Sequence, residues 1–234
     1  LVCEQESDAV SLLQQVASSV GMALVGAVVP GLVVTAGFQR KGALLFAVDA
    51  SIPRRILNLP RVEGHTALSA VEALASFVEH HAAEEGEDTL LLFLDGLTPD
   101  AASLLDRLYL EIGDRVRFAG ASVGSESFRA APCLFDNDSF LQDAVLALLL
   151  PRNAGPALAH HYCGNDALRV ATDIAGNRIK AINGRLAFDV YRDLMKSEYG
   201  IDLDRENFYD YAVHFPFAFN RISGEPLVRI PVAV

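Results

Sequence analysis

Cysteine is scarce in this chain of 234 residues, which carries only Cys3, Cys133 and Cys163. A small and odd number of cysteines excludes a scaffold built on disulfides and favours a reducing compartment. A chain of this length hides roughly 70% of its unfolded surface, which is enough for a large core without covalent staples. We therefore expect a cytoplasmic globular protein.

Basic residues are outnumbered by acidic ones, 19 against 30, so the formal net charge is −11. Such a chain repels a phosphate backbone, which excludes a general nucleic-acid-binding protein. Apolar residues make up 51% of the sequence and charged residues 21%, a composition typical of folded globular proteins. The length predicts one large domain or two small ones.

Charged residues are absent from residue 9 to residue 39. Within this stretch, residues 20–38 are apolar over a length that could span a membrane. Pro30-Gly31 interrupts the run, and proline costs about 3 kcal/mol inside a helix, whereas valine favours strands. We therefore predict two buried strands that meet at a turn, and no membrane span. No secretory signal is recognisable at the N-terminus.

Strand-like and helix-like segments alternate along the first 150 residues. Apolar residues at helical spacing predict three helices, with starts at Ser7 or Asp8, at Thr66 or Ser69, and after Thr98-Pro99. Apolar runs predict strands over residues 1–3, 23–29, 32–35, 43–48, 89–94, 116–121 and 144–150, with one or two more within 125–137. Residues 50–65 are predicted to form an irregular connector that contains Arg54, Arg55 and Arg61. These arginines could anchor an acidic partner, but a solvated connector is the favoured interpretation.

Two segments of the chain are similar to each other. Residues 24–31 (LVGAVVPG) align with residues 118–125 (FAGASVGS), and each segment follows a strand and a helix. Each segment is also followed by strands that end in an apolar run, residues 43–48 in the first case and residues 144–150 in the second. A strand–helix–strand order predicts a parallel crossover, and short turns predict antiparallel pairs. The predicted fold class is α/β with α+β-like character: a mixed β-sheet with flanking helices, built from two similar β-α-β-β units.

The pattern changes after Pro151. Residues 157–185 are rich in turns, and Asn183-Gly184 is typical of a β-hairpin. A helix is predicted over residues 186–199. The last segment alternates apolar and polar residues around Ser223-Gly224 and ends on a strand, and the first residues read as the tail of another strand. We therefore expect the sequence to be a piece of a longer protein.

Several segments together resemble the FIST family of sensory domains. The N-terminal likeness lies in the strand and turn of residues 25–31, in the Asp-Gly that follows an apolar strand at residues 93–96, and in the glycine loop of residues 119–122. The most specific stretch is residues 170–191, which resembles the family run V-T-x-A-x-G-N-x-I-x-x-L-D-G-x-P-A-x-x-x-Y. The departures from that run are an inserted Ala171, Asn183 in place of aspartate and Leu186 in place of proline.

The resemblance implies that residues 1–212 form a FIST N-terminal-type sensory domain and that residues 213–234 begin a truncated C-terminal-type region. It implies a bacterial, intracellular and non-catalytic signal-transduction module that binds a small, amino-acid-like ligand. One branch of the family binds haem and senses nitric oxide, so haem b is an implied cofactor. Histidine kinases and cyclic-di-nucleotide signalling enzymes are the implied partners. Thr172 and Asn177 are ligand-binding candidates through this resemblance alone.

Residues 120–124 (GASVG) match the G-x-S-x-G motif of serine hydrolases. A nucleophile elbow must open a helix, and residues 125–132 carry no helical stripe, so an esterase-like hydrolase using Ser122 is the less favoured interpretation. The favoured one is a tight glycine turn whose backbone amides face a cleft and suit a carboxylate or phosphate. Gly120, Ala121 and Ser122 are therefore candidate ligand-binding residues.

One carboxylate and two histidines complete the candidate residues. Asp95 ends an apolar strand, where a carboxylate often faces a ligand crevice and could bind an amine, although capping of the next turn is favoured. His161 and His214 are candidate axial ligands of haem in an apolar pocket, against the favoured alternative of histidines bonded to the backbone. Covalent haem attachment is excluded because the sequence has no C-x-x-C-H motif.

Overall fold

The computed structural model describes residues 1–59, 68–83, 87–98, 101–127, 129–151, 162, 167–176, 178–220 and 226–234. The chain forms two compact units, Leu1–Ala157 and Leu158–Val234. The boundary between family regions that the sequence predicts at residues 212–213 stays a prediction.

Helices and strands follow one another in the first unit largely as the apolar periodicity predicts. In chain order the elements are β1 (Val2–Cys3), α1 (Ala9–Ser19), β2 (Val25–Val29), β3 (Leu32–Val34), β4 (Gly37–Gln39), β5 (Arg54–Asn58), α2 (Leu68–His81), β6 (Thr89–Asp95), α3 (Ala101–Ile112), β7 (Arg117–Val123), β8 (Leu134–Asp136), β9 (Phe140–Leu141) and β10 (Ala144–Leu150).

Two four-stranded sheets organise the first unit, one in the order β1-β2-β8-β9 and the other in the order β5-β10-β6-β7. β1 runs parallel to β2 with α1 between them in the chain, and β6 runs parallel to β7 with α3 between them. The other neighbouring strands of these sheets are antiparallel. The predicted mixed α/β fold and its two crossovers are therefore confirmed.

β10 contributes to both apolar cores of the first unit. Val145, Ala147 and Leu149 pack in a cluster with α2, α3 and β6. Ala144 and Leu146 pack in a second cluster with residues of α1, β2 and β8. Because successive side chains on a strand point to opposite faces, an uninterrupted apolar run is what a strand covered on both faces requires.

Two segments near residue 50 differ from the sequence prediction: the expected strand does not form, and the expected connector contains a strand. Residues 43–48, all of them described, form no strand: Ala43 makes one isolated bridge to Val2, while Leu45 and Phe46 are exposed. Residues 54–58, expected in an irregular connector, instead form β5 against β10. The predicted equivalence of 43–48 with 144–150 is wrong, because the strand that forms depends on the partner and register available to it.

One predicted N-cap position is confirmed, although without the expected side-chain hydrogen bond. Asp8 occupies the N-cap position of α1, but its side chain makes no capping hydrogen bond. Ser69 lies within α2, and Thr66 lies outside the described residues. Val10 on α1 and Leu74 on α2 are fully buried, and this packing stabilises both helices.

The uncharged stretch of residues 9–39 forms α1, β2 and the hairpin of β3 and β4. The two strands predicted within residues 20–38 are confirmed as strands, although Val33 of β3 is 81% exposed and only β2 is largely buried. Across the described ranges, no helix combines the length and the apolar character that crossing a membrane requires.

The second unit confirms the predicted hairpin and helix. Its elements are β11 (Ala171–Ala175), β12 (Arg178–Ile182), β13 (Arg185–Leu186), α4 (Ala187–Tyr199), α5 (Phe208–Ala212), β14 (Phe217–Phe219) and β15 (Leu227–Arg229). Asn183 and Gly184 have φ angles of 48° and 76°, the signs that a type I′ turn between β12 and β13 requires. β14 pairs antiparallel with β15, and the Ser223-Gly224 pair lies outside the described residues.

We predict that Gly120→Ala lowers the free energy of unfolding by about 3 kcal/mol, because overpacking a fixed contact strains the backbone. A Cβ at Gly120 would collide with the backbone carbonyl oxygen of Leu92 on the neighbouring β6. Gly21→Ala is the matched control, since a Cβ there meets nothing within 4 Å and only the φ of +66° opposes it, at a cost of about 1 kcal/mol. Urea unfolding measures both changes, and equal losses would contradict the close approach of β7 to β6.

Candidate functional site

An open cleft of about 230 Å³ lies beside β5 in the first unit. Its lining comes from β5, from the start of β2 and from the turn that follows β8. The lining residues are Leu24, Val25, Arg54, Arg55, Ile56, Asp136, Asn137 and Asp138. Cationic and anionic side chains thus share one small cavity that also has apolar surface.

The side chains of β5 alternate between the two faces of the sheet. Ile56 packs against the cluster of α1, β2 and β8, whereas Leu57 packs against the cluster of α2, α3 and β6. Leu24 and Val25, which also line the cleft, belong to the same side as Ile56. Because alternate residues share a face, Arg54 lies on the Ile56 side of the strand.

Among the strands that the structure describes, β5 is paired on one edge only. β5 ends its sheet, and within the described residues its single strand partner is β10. The Leu59 N–H donates to the Asp143 carbonyl at 2.5 Å, and the Leu149 N–H donates to the Pro53 carbonyl at 3.0 Å. In an antiparallel ladder hydrogen-bonded pairs alternate, so Arg55 and Leu57 also bond to β10. The N–H and C=O groups of Arg54 and Ile56 therefore point away from β10.

Arg54 is the cation best placed to meet a ligand. Its Nη1 donates to the carbonyls of Ile52 at 3.2 Å and Ala50 at 3.5 Å, which orients the guanidinium without neutralising it. Within the described part of the chain, neither Arg54 nor Arg55 forms an ion pair. An arginine that lacks a carboxylate partner keeps its forked donors for an anionic ligand.

The acidic turn after β8 is held in one conformation by its own side chains. Oδ1 of Asp136 accepts hydrogen bonds from the backbone N–H groups of Asp138, at 3.0 Å, and Ser139, at 2.7 Å. The amide of Asn137 accepts from the Leu24 N–H at 2.8 Å and donates to the Met22 carbonyl at 2.9 Å. The exposed carboxylate of Asp138 is thereby presented on a fixed turn. The cleft can accept a molecule that carries both an anionic and a cationic group.

The glycine motif of the sequence lies elsewhere in the first unit and has a different conformation from the predicted turn. Gly120, Ala121 and Ser122 are interior residues of β7, in register with Leu92, Phe93 and Leu94 of β6. Ser122 therefore sits in a strand, and residues 123–127 and 129–133, which the structure describes after it, contain no helix. The strand–turn–helix geometry of a nucleophile elbow is not formed here.

Asp95 is buried and caps its own turn. Its Oδ1 accepts a hydrogen bond from the Leu97 N–H at 2.9 Å, and its Oδ2 accepts one from the Asp143 N–H at 2.8 Å. Burial raises the pKa of the neighbouring Cys133 thiol to about 12, and the negative charge of Asp95 adds to the increase. Through these two hydrogen bonds Asp95 joins the end of β6 to the start of β10, which is a structural role.

Of the two ligand-binding candidates in the second unit, only Thr172 belongs to the described residues. Thr172 Oγ1 accepts a hydrogen bond from the Gly184 N–H at 2.9 Å and so stabilises the hairpin turn. Asn177 lies outside the described residues. The structure brings Gly120, Ala121 and Ser122 beside the strand that ends in Asp95, and it assigns Thr172 to the other compact unit. Their role in ligand binding stays a prediction.

The haem hypothesis rests on two histidines, of which one is described. His214 is exposed in the turn after α5, and its backbone N–H donates to the Tyr211 carbonyl at 2.9 Å. An exposed side chain does not fit an axial ligand in an apolar pocket. His161 lies outside the described residues, and within those residues no group of three metal-ligating side chains occurs. Haem binding through His161 stays a prediction.

Sequence reasoning considered Arg54 and Arg55 as anchors of an acidic partner but favoured a solvated connector, because the segment contains Pro53 and Pro60. The signal that could have found the strand is the pair Ile56-Leu57 directly after them, since two consecutive apolar residues suit a strand buried on both faces. The partner strand β10 was predicted, but its register with residues 54–58 was not.

The family model described as the FIST N domain matches residues 1–185. No curated protein and no solved structure matches the chain.

We predict that the buried Cys133 thiol makes stability fall in alkaline solution. In the unfolded chain this thiol has its ordinary pKa of 9.0, whereas burial raises the folded pKa to about 12. Above pH 9 the unfolded chain loses the proton that the folded chain retains, so the contribution is complete below pH 9 and is lost as the pH rises towards 12.

Urea unfolding of the parent chain and of Cys133→Ala, near pH 8 and near pH 10.5, isolates this contribution from other titrating groups. The parent chain should lose about 2 kcal/mol more than the variant between the two pH values, since each pH interval of one is worth about 1.4 kcal/mol. Parallel losses in the two proteins would contradict a buried, protonated thiol beside Asp95.

Proposed function

Because the chain belongs to the FIST family of small-ligand sensory domains, we propose that its ligand is amino-acid-like and occupies the cleft beside β5. Binding there would be the input step of a signal-transduction module. The proposal assigns recognition, and no bond-making step, to the residues of the cleft.

The observation that carries the proposal is the presence of Arg54 and Asp138 in the same small cavity. An α-amino acid carries a carboxylate and an ammonium group at neutral pH, and these match a guanidinium and a carboxylate respectively. The apolar side chains of Leu24, Val25 and Ile56 offer a surface for a ligand side chain. A cavity of about 230 Å³ is below the usual range for drug-sized ligands, roughly 300–1,000 Å³, and suits a metabolite of this size.

Three of the sequence-predicted ligand residues are the alternative to the cleft. Gly120, Ala121 and Ser122 are exposed on β7 and line no part of the cleft. Haem and a nitric-oxide response rest on His161, and the histidine kinase or cyclic-di-nucleotide enzyme rests on the family resemblance. These stay predictions, which absorbance with added haemin and capture of candidate partners can test separately.

We predict that Arg54→Ala weakens amino-acid binding about tenfold or more, because a charge-assisted hydrogen bond is worth about 1.5–3 kcal/mol. A screen of the standard amino acids by thermal shift identifies the strongest binder, and isothermal titration calorimetry gives its Kd for each variant. Arg107→Ala, which removes an exposed arginine on α3, controls for the loss of one positive charge.

Ser122→Ala tests the rival site in the same titration. The cleft assignment predicts an unchanged Kd for Ser122→Ala and for Arg107→Ala. A loss of affinity in Ser122→Ala with none in Arg54→Ala would move the site to β7. Hydrolysis of an activated ester by the parent chain that is abolished in Ser122→Ala would contradict the non-catalytic assignment.

A further inference from the structure

Helix α1 holds the turn that carries the anionic part of the cleft. We propose that α1 controls recognition of the ligand's ammonium group through Gln14, whose side chain fixes the turn that presents Asp138. Gln14 lines no part of the cleft, so it acts as a positioning residue. The inference rests on the proposed function, since it assigns the regulation of one half of the same cleft.

The core of the first unit fixes the position of α1. Val10 and Ala17 are buried on this helix, and Leu13 packs in the cluster that also holds residues of β2 and β8. Side chains three or four positions apart share a helix face, so the half-buried Gln14 lies on the same face as Val10 and Ala17. The packing that anchors α1 therefore also determines where the Gln14 side chain can reach.

Both donors of the Gln14 amide are used on the turn between β8 and β9. Its Nε2 donates to the carbonyl oxygen of Asp136 at 2.8 Å and to that of Ser139 at 3.0 Å. A primary amide has two N–H donors, so these bonds take its full donor capacity. The Asp136 N–H also donates to the Ser139 carbonyl at 3.0 Å. Gln14 therefore links the two ends of the four-residue turn within which Asp138 lies.

The turn presents Asp138 to the cleft as an exposed carboxylate. Within the described residues the Asp138 side chain forms no hydrogen bond or ion pair, while its backbone N–H donates to Asp136 Oδ1 at 3.0 Å. An ammonium group binds best where the carboxylate is already in place, because ordering a mobile turn costs conformational entropy. The bonds from Gln14 favour ammonium binding because they hold the turn in advance.

The carboxylate-binding half of the cleft is held by other elements. The Arg54 guanidinium donates to the carbonyls of Ala50 and Ile52, and β5 pairs with β10. None of these contacts involves α1. Loss of the Gln14 bonds should therefore affect recognition of the ammonium group and leave recognition of the carboxylate unchanged. A residue that merely stabilised the fold would weaken both.

These contacts give α1 a means of regulating the cleft. One nitrogen makes both bonds to the turn, so a movement of α1 that withdraws Gln14 breaks the two together. Binding linkage is reciprocal, so an ammonium group in the cleft should also strengthen the contact between the turn and α1. The helix and the ammonium half of the cleft then bias each other.

Calorimetric titration with three related probes tests the inference. The probes are the standard amino acid that binds most tightly, its counterpart with hydrogen in place of the α-amino group (propionate for alanine, for example), and its carboxamide. The parent chain should bind the amino acid about tenfold tighter or more than either counterpart, because each counterpart lacks one charged contact.

Gln14→Met keeps the length of the side chain and removes both N–H donors. It should reduce the preference for the amino acid over the compound without the amino group about tenfold, and leave the preference over the carboxamide unchanged. Gln15→Met, at the next and exposed position of α1, is the matched control and should change neither preference. Equal weakening of all three probes in Gln14→Met, or two unchanged preferences, would overturn the inference.

The side-chain amide signals of Gln14 in a proton–nitrogen NMR spectrum test the same coupling in the unaltered protein. They should shift when the amino acid is added and stay in place when the compound without the amino group is added. Equal shifts with both compounds, or none with either, would contradict the control of the ammonium half by α1.

The failure of this inference is distinguishable from failure of the proposed function. If Arg54→Ala weakens binding of the amino acid while Gln14→Met changes neither preference, the cleft is an amino-acid site and only the role of Gln14 is wrong. If no standard amino acid binds to the parent chain, or if Arg54→Ala binds as the parent does, both are wrong.

Discussion

The antiparallel pairing of β5 with β10 is the interaction on which the candidate site depends. β10 is covered on both faces and paired on both edges, by β5 and by β6, so its position in the first unit is fixed by the core. The bonds from Leu59 to Asp143 and from Leu149 to Pro53 then fix the register of β5 against β10. That register decides which backbone groups bond to β10 and which point away from it. A register shift of one residue would exchange them.

Local apolar pattern predicted most of the first unit because its strands and helices bury continuous stripes. The run Ala144–Leu150 and the run Thr89–Asp95 are strands in the structure, and the two parallel crossovers follow from the order of elements. The apolar pattern could not predict which of the two segments 43–48 and 54–58 forms a strand. The first segment is the more apolar one, yet the second pairs with β10, because strand formation there is decided by a distant partner and not by the segment itself.

The chemistry of the site was harder to predict for a related reason. A glycine can permit a tight turn or a close contact between two backbones. Gly120 permits the close contact of β7 with the backbone of β6. A strand-end carboxylate can face a ligand or the backbone, and Asp95 is bonded to two backbone amides. Arg54 and Asp138 are 84 positions apart in the sequence (138 − 54) and meet only through the fold. No spacing rule within one segment could have joined them.

Residue-resolved hydrogen exchange, followed by NMR in the absence and presence of the strongest-binding amino acid, tests most directly whether the cleft beside β5 is the recognition surface. With the amino acid, amides of the cleft residues 24–25, 54–56 and 136–138 should become more protected while residues 120–122 stay unchanged. Protection that arises at residues 120–122 and leaves the cleft residues unaffected would contradict the account.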